Sequence, residues 1–225
     1  MAGLVSPSRV YPTWAHIYAQ LGQARVASAI YVFYAVSMIV VDARHKAGHD
    51  GWGHLGVMSE LNLRILPETA DDAEAVERLH ERTFGPGRYA RSAFRIREGR
   101  GHLLELSFTA RIGTLLVGSL RLTPICIGET PALLLGPLTV EPPFRERGVG
   151  SALIKRALKD AGAKGHKLVV LVGDEPFYAK SGFKRIPKGQ VKMPGPVDPA
   201  RLLVAELKPG AFEGISGLIR PDWEV

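Results

Sequence analysis

A glycine-containing segment at residues 145–151, Arg-Glu-Arg-Gly-Val-Gly-Ser, separates a predicted strand from a predicted helix. The preceding residues 132–140 are mostly apolar, and residues 153–161 carry apolar side chains at helical spacing. Gly148 and Gly150 lack a Cβ, so the backbone can approach a ligand closely. The amides of the first helical turn and the helix dipole then favour an anion. This order of strand, loop and helix predicts a diphosphate-binding loop in an α/β domain.

The segment taken alone has a second interpretation, a tight turn between strand and helix with solvated arginines. It is not a Walker loop, because no Gly-Lys-Ser/Thr follows to reach a terminal phosphate and Mg²⁺. It is not the dinucleotide fingerprint either, because Leu153 stands where that motif needs its third glycine. Evidence from other segments of the chain is therefore needed to choose between the two interpretations.

A second motif, Phe177-Tyr178-Ala-Lys-Ser-Gly-Phe, follows another apolar segment at 168–172. The two motifs, R-x-x-G-x-G and F-Y-x-x-x-G-F, resemble those of the GNAT acyltransferase superfamily over about residues 62–207. The segment 173–178 is most similar to the YhbS-like group of predicted bacterial acetyltransferases. The resemblance implies one α/β domain with a mixed, mostly antiparallel sheet, helices on both of its faces and central strands that splay apart.

The resemblance also implies an activity, the transfer of an acetyl group from acetyl-CoA to a primary amine by direct attack in a ternary complex. Acetyl-CoA is then a cosubstrate, and no metal is required. In this family the pantetheine lies between the splayed strands, where the backbone of Leu138 and Val140 would pair with its amides. The residues expected to bind the cofactor are Leu138, Thr139, Val140, Arg145, Glu146, Arg147, Gly148, Val149, Gly150 and Ser151.

Tyr178 is the expected catalytic residue, because the family places a tyrosine here to protonate the departing thiolate. The alternative is a tyrosine that packs on the sheet with its hydroxyl bonded to the backbone. The general base is not apparent, since residues 133–140 contain no acid. Asp174 and Glu175 either cap the helix that holds Tyr178 or accept a proton through water. Glu105 is a weaker candidate for the base, and solvent itself is a further possibility.

Composition narrows the partners and the compartment. The net charge is +7, yet the basic residues are dispersed and lack interleaved aromatic side chains, so nucleic acid is not an expected partner. The partner that the resemblance implies is an amine acceptor, either a small molecule or a peptide. The single cysteine, Cys126, excludes an internal disulfide and favours a cytoplasmic protein. A monomer and a homodimer are both compatible with the sequence.

Residues 1–57 differ from the rest and are treated as an N-terminal extension to an acetyltransferase domain at 58–225. Residues 26–41 form an uncharged, mostly apolar run that is short for a membrane-spanning helix. Three interpretations remain open: a true start at Met58, a membrane-associated helix, and an extra packed helix. No association with a membrane is expected unless the run at 26–41 is a membrane segment.

The remaining pattern predicts a strand, two helices, three strands, a helix, a strand, a helix and final strands. Its predicted elements before the glycine loop are a strand at 61–66, helices at about 70–84 and 88–97, and strands at 104–110, 115–124 and 133–140. The acceptor would lie near Tyr89, Phe94 and the loop at 187–199. A module of the same fold that binds acyl-CoA without catalysis is the alternative to an enzyme.

Overall fold

The computed structural model describes residues 62–85, 92–97 and 101–222. These all lie in the second of two units of the chain, His54–Val225. The predictions for residues 1–57, for a start at Met58 and for Tyr89 fall outside the described residues. No helix within the described ranges is long and apolar enough to cross a membrane.

The second unit is a mixed α/β structure. Its strands are β1 (Leu63–Pro67), β2 (Phe108–Ile112), β3 (Leu115–Ile127), β4 (Thr130–Val140), β5 (Leu168–Val172), β6 (Lys184–Arg185), β7 (Val191–Lys192), β8 (Leu202–Glu206) and β9 (Gly217–Pro221). Its α-helices are α1 (Ala73–Phe84), α2 (Ser92–Arg97), α3 (Val149–Ala163) and α4 (Glu175–Tyr178). The predicted order of elements up to α4 is confirmed.

The main sheet has the order β1-β2-β3-β4-β5-β8-β6, and β9 pairs with the end of β3. Every pair in that order is antiparallel except β4 with β5, which is parallel because α3 connects the two strands. The mixed, mostly antiparallel sheet that the resemblance implied is therefore confirmed.

Alternation along the strands gives the sheet two apolar faces. Leu133 and Leu135 of β4 belong to one core, which includes the buried face of α3. Leu134 lies in the other core, together with Ile96 of α2. Helix α1 lies on the same side as α2, since His80 Nε2 is 3.1 Å from Ser119 Oγ of β3. Helices thus cover both faces, as predicted.

Strands β4 and β5 pair only at Leu133 and Leu134 and then separate. The β3–β4 register changes at the same level, where Leu120 is opposite Leu138 but Leu122 is opposite Leu135. Two residues of β4, Gly136 and Pro137, therefore face one residue of β3, which defines a β-bulge. The Gly136–Pro137 peptide is cis, and Gly136 has a φ of +130°. The predicted splay of the central strands begins at this bulge.

The prediction of a strand at 104–110 is wrong for the first half of that range. Leu104–Leu106 is a 3-10 turn, and the strand begins at Phe108. The turn buries Leu106 completely, and Ser107 Oγ accepts a hydrogen bond from the Leu122 amide. These contacts with β3 replace the alternating exposure that the sequence pattern indicated.

Strands β7 and β9 were not predicted. Strand β7 lies in the loop at 187–199 and β9 lies near the end of the chain, and the two strands pair in parallel. The Gly217 amide donates to the Gln190 carbonyl, and Gln190 Nε2 donates to the Ile215 carbonyl. A strand of two residues is too short to show an alternation of apolar and polar side chains, so the sequence pattern does not predict it.

Candidate active site

The predicted diphosphate loop leads into α3 through two residues in the left-handed region. Glu146 has a φ of +60° and Gly148, the N-cap residue, a φ of +81°. Glycine suits this position because it carries no Cβ penalty there. Arg145 Nε donates to the Val140 carbonyl at 3.2 Å, which lays the start of the loop along the end of β4.

The first turn of α3 presents unused amides. The Ala152 amide donates to the Gly148 carbonyl at 2.9 Å, which closes the first helical turn. The amides of Val149, Gly150 and Ser151 have no acceptor among the described residues, and no side chain caps the helix. Since the Val149 side chain is buried, its backbone remains the part that can meet a ligand. Such a helix start attracts anions.

The free edge of β4 lies beside these amides. The Glu141 amide donates to the Val117 carbonyl of β3, and backbone direction alternates along a strand, so Leu138 and Val140 turn their polar groups toward the opposite edge. That edge is the one β5 has left. A Cβ built on Gly150 would lie 3.8 Å from Leu138 Cδ2 and 3.9 Å from Val140 Cγ2. The structure thus brings the predicted loop and strand residues together.

Thr139 is the predicted site residue that lies apart from this edge. Its side chain is buried, and Oγ1 is 3.1 Å from Ser119 Oγ on the α1 side of the sheet. Two other predicted site residues, Glu146 and Arg147, lie in the loop before α3. Glu146 is exposed and Arg147 is partly buried.

Tyr178 lies at the end of α4 in an aromatic setting. Its ring makes edge contacts with Phe177 and Phe183, at centroid distances of 4.9 and 5.8 Å. Phe177 also reaches the loop, since a Cβ built on Gly150 would lie 3.3 Å from its Cζ. The Tyr178 hydroxyl makes no hydrogen bond to any described residue, which argues against a tyrosine tied to the backbone. The second motif therefore lies next to the first.

The pKa of the Tyr178 phenol is raised to about 12. Burial is the main cause, the charge of Asp174 adds to it, and Arg201 opposes it. The hydroxyl is consequently protonated at neutral pH and available as a donor.

Asp174 caps α4 through its backbone and not through its side chain. Its carbonyl accepts from the amides of Phe177 and Tyr178, while its carboxylate lies 3.2 Å from Arg201 Nε. Glu175 pairs with Arg185. Both acids are thus engaged with arginines.

A cavity of about 670 Å³ opens on the α1–α2 side of the same β4 segment. Leu135, Gly136, Pro137 and Leu138 form part of its wall, so Leu138 borders both the cavity and the β4 edge. Its polar side chains come from distant parts of the chain. They are Glu77, His80, Arg97, His102, Arg121, Thr123, Asp198 and Arg201.

Arg121 organises one side of the cavity. Its Nε and Nη2 donate to both oxygens of Glu68, at 2.6 to 3.0 Å, and its Nη1 donates to Glu77 at 2.6 Å. Burial would raise the pKa of Glu68, but hydrogen bonds with His102 and Arg121 outweigh it and lower that pKa. The pKa of Glu77 falls to about 2, chiefly through its hydrogen bond with His80 and also through Arg121, against its partial burial.

Sequence reasoning did not assign these cavity residues. The one local signal was an arginine inside the apolar strand segment Leu120-Arg121-Leu122, where a charge needs a buried partner. Phe94 is the expected acceptor residue that the structure does place at the cavity. The 187–199 loop contributes Pro196 and Val197 through its second half.

The chain is similar to known acetyltransferases. Residues 105–185 match the family model described as the Acetyltransferase (GNAT) domain. The uncharacterized N-acetyltransferase YhbS of Escherichia coli O157:H7 is 25% identical over 159 residues, covering 70% of this chain and 95% of that protein.

Two solved structures share the fold. One is the GNAT family N-acetyltransferase YhbS from Escherichia coli in complex with CoA, with a TM-score of 0.63 and 24% identity over 77% of this chain and 93% of that one. The other is a GNAT family acetyltransferase from Staphylococcus aureus Mu50, with a TM-score of 0.50 and 16% identity over 65% and 99%. Residues 105–185 thus match a GNAT acetyltransferase domain, and the chain is similar to the N-acetyltransferase YhbS over most of its length.

Proposed function

We propose that the domain at residues 58–225 transfers an acetyl group from acetyl-CoA to a primary amine, by direct attack in a ternary complex. The observation that carries this proposal is the junction of three features at one place. These are the unused amides at the start of α3, the open edge of β4 and the hydroxyl of Tyr178. The CoA bound to the solved YhbS structure supports the choice of cofactor.

In this proposal the diphosphate binds the amides of Val149, Gly150 and Ser151, with positive charge from Arg145 and Arg147. The pantetheine arm lies along β4, where its amides pair with the backbone of Leu138 and Val140 in place of the missing β5 neighbour. Thr139 holds β4 against β3 through its hydrogen bond with Ser119. Glu146 contributes through its left-handed backbone conformation, which shapes the loop before α3.

Tyr178 acts as the proton donor for the departing thiolate. A free thiol titrates near ~8.5, so moving a proton from a phenol of pKa about 12 costs about 5 kcal/mol. The barrier for a turnover of about 10 s⁻¹ is about 16 kcal/mol, so this step remains compatible with ordinary rates.

Neither of the two described acids that line the cavity is suited to act as a strong general base, and Asp198 already caps a 3-10 turn. Glu77 lines the cavity, but its pKa of about 2 makes the carboxylate a poor proton acceptor. In our proposal solvent takes the proton of the ammonium group before attack, and the acceptor reacts as the free amine. A cytoplasmic location, and action as a monomer or homodimer on a small-molecule or peptide amine, belong to the same proposal.

The second candidate is a module that senses acyl-CoA without catalysing transfer. The observation in its favour is the lack of an acid on β4 together with the low basicity of Glu77. It uses the same cofactor site but has no need of Tyr178.

Replacing Tyr178 by Phe separates the two candidates. For an enzyme we expect kcat to fall by about 10²-fold or more, because the thiolate loses its proton donor, with the affinity for acetyl-CoA unchanged. Free CoA released with a panel of amines measures the rate, and calorimetry measures the affinity. Uptake of acetyl-CoA without thiol release for any amine in the wild type would favour the sensor.

A further inference from the structure

Arg97, the last residue of α2, lies in the cavity at the point where β4 leaves β5. It lines the cavity together with Gly136 and Leu138. A Cβ built on Gly136 would lie 3.2 Å from Arg97 Nη2, so the guanidinium sits against the bare backbone of the β-bulge. The β-bulge marks the start of the gap proposed for pantetheine, which puts this charge close to where acceptor and thioester would meet.

Arg97 differs from the other two arginines among the described residues that line the cavity. Arg121 is bound by Glu68 and Glu77, and Arg201 lies 3.2 Å from Asp174. Arg97 forms no ion pair with any described residue, and its buried Nε has no hydrogen-bond partner. A desolvated cation of this kind is costly unless a counter-charge is supplied.

The acids that line the cavity within the described ranges are already used. Glu77 is held by His80 and Arg121, and Asp198 Oδ1 accepts from the Ala200 amide at 2.9 Å to cap a 3-10 turn. The missing counter-charge for Arg97 is therefore expected from a ligand.

Arg97 keeps its positive charge at neutral pH. Burial is the main influence and the positive charge of Arg121 adds to it, and together they lower the pKa of the guanidinium to about 10. A planar guanidinium binds a carboxylate or a phosphate through two parallel hydrogen bonds. Those two groups are the anions that its donor geometry fits best.

We propose that the amine acceptor carries a carboxylate or a phosphate, and that Arg97 binds this anionic group while the amine faces the thioester. The assignment of the ligand as an acceptor rests on the proposed acetyltransferase function. It narrows the substrate class from amines in general to small zwitterionic amines, and it excludes polyamines and other purely cationic acceptors.

The test compares Arg97→Gln with Arg95→Gln, a matched loss of charge on an exposed residue of the same helix. The probes are glycine, β-alanine and γ-aminobutyrate with their amides, and phosphoethanolamine with ethanolamine. Binding of each probe is measured by calorimetry in the absence and presence of CoA. Circular dichroism confirms that both variants fold.

We expect the wild type and Arg95→Gln to bind at least one probe that carries a carboxylate or phosphate about tenfold or more tightly than its counterpart without that group, because a charge-assisted bond is strong. Arg97→Gln should lose that preference. Preference for a carboxylate or for phosphoethanolamine identifies which anion the cavity takes. The proposal is overturned if no probe with a carboxylate or phosphate binds the wild type, if probes with and without that group bind equally, or if Arg97→Gln retains the preference.

The same series separates this proposal from the proposed function. Calorimetry with the amines requires no turnover, so it can succeed even where acetyl-CoA fails to bind. Binding of anionic amines that depends on Arg97, without uptake of acetyl-CoA, would keep the anion site and remove its role in acetyl transfer. Uptake of acetyl-CoA without any preference among the probes would leave the proposed function intact and overturn the anion site at Arg97.

Discussion

At the scale of single residues, Gly173 determines where the Tyr178 ring can lie. A Cβ at position 173 would be 2.2 Å from Tyr178 Cε2 and 2.8 Å from Cδ2, so the ring must move if one is added. We predict that Gly173→Ala lowers kcat by about 10²-fold, because a displacement of about 1 Å at a reacting group has that effect. The affinity for acetyl-CoA should stay unchanged by calorimetry.

Gly162→Ala is the matched control. Gly162 lies exposed in α3, and the nearest atom to its added Cβ is Leu207 Cβ at 3.9 Å. This change should raise the free energy of unfolding by about 0.5–1 kcal/mol in a urea titration and leave kcat alone. Equal losses of activity in the two variants would show that the space above Gly173 has no catalytic importance.

The buried pair of Glu68 and Arg121 gives a prediction about stability. The Glu68 side chain is fully buried against Arg121, so Glu68→Gln leaves a buried cation short of its partner. We predict a loss of about 3–5 kcal/mol in the free energy of unfolding. Glu129→Gln removes an exposed partner of Arg220 and should cost less than about 1 kcal/mol.

The same pair fixes the direction of the pH dependence. Because the pKa of Glu68 is lower in the folded protein than its ordinary value of 4.5, its contribution is complete above that pH and is lost as the pH falls below it. The unfolding midpoint of the wild type should therefore drop as the pH falls below 4.5. In Glu68→Gln the drop should be shallower, and an unchanged slope would contradict the assignment.

At the scale of elements, the start of α3 can be tested by adding charge at its third residue. Ser151→Asp places a carboxylate among the unused amides, where it should stabilise the ligand-free protein by about 0.3–1 kcal/mol through the helix dipole. The same carboxylate should repel a diphosphate and weaken acetyl-CoA binding by about tenfold or more. Opposite signs in thermal unfolding and in calorimetry are the expected signature.

Ser151→Asn is the isosteric control without the charge. It should leave both measurements close to wild type, since the asparagine amide neither repels a diphosphate nor interacts strongly with the dipole. If Ser151→Asp binds acetyl-CoA as well as Ser151→Asn does, the diphosphate is not at this helix start.

The elements that the sequence predicts best are those with a continuous apolar run or with apolar residues at regular spacing. Helix α3 and strand β5 follow directly from their spacing, and the loop between β4 and α3 follows from Gly148 and its neighbours. The 3-10 turn at Leu104–Leu106 and the pairing of β7 with β9 did not follow, because contacts with distant segments determine them. Local pattern predicts an element only when local residues decide it.

At the scale of the whole molecule, the sequence predicted a continuous candidate cofactor site, but of the cavity it predicted only Phe94 and part of the loop at 187–199. The proposed cofactor site consists of one continuous stretch, β4 to α3, and a motif nearby in the chain. The cavity instead collects Glu77, Arg97, Arg121 and Arg201 from separate elements, so no spacing in the chain reveals that they meet. The unpaired state of Arg97 depends on that three-dimensional arrangement alone.

The most direct measurement of the central claim is calorimetry of the purified full-length chain with acetyl-CoA and with acetylpantetheine, which lacks the diphosphate and the nucleotide. If the amides at the start of α3 hold the diphosphate, acetyl-CoA should bind with saturable one-to-one heats and acetylpantetheine about 10²-fold more weakly, since several charge-assisted hydrogen bonds are lost. No uptake of acetyl-CoA, or equal affinity for the two thioesters, would contradict the claim.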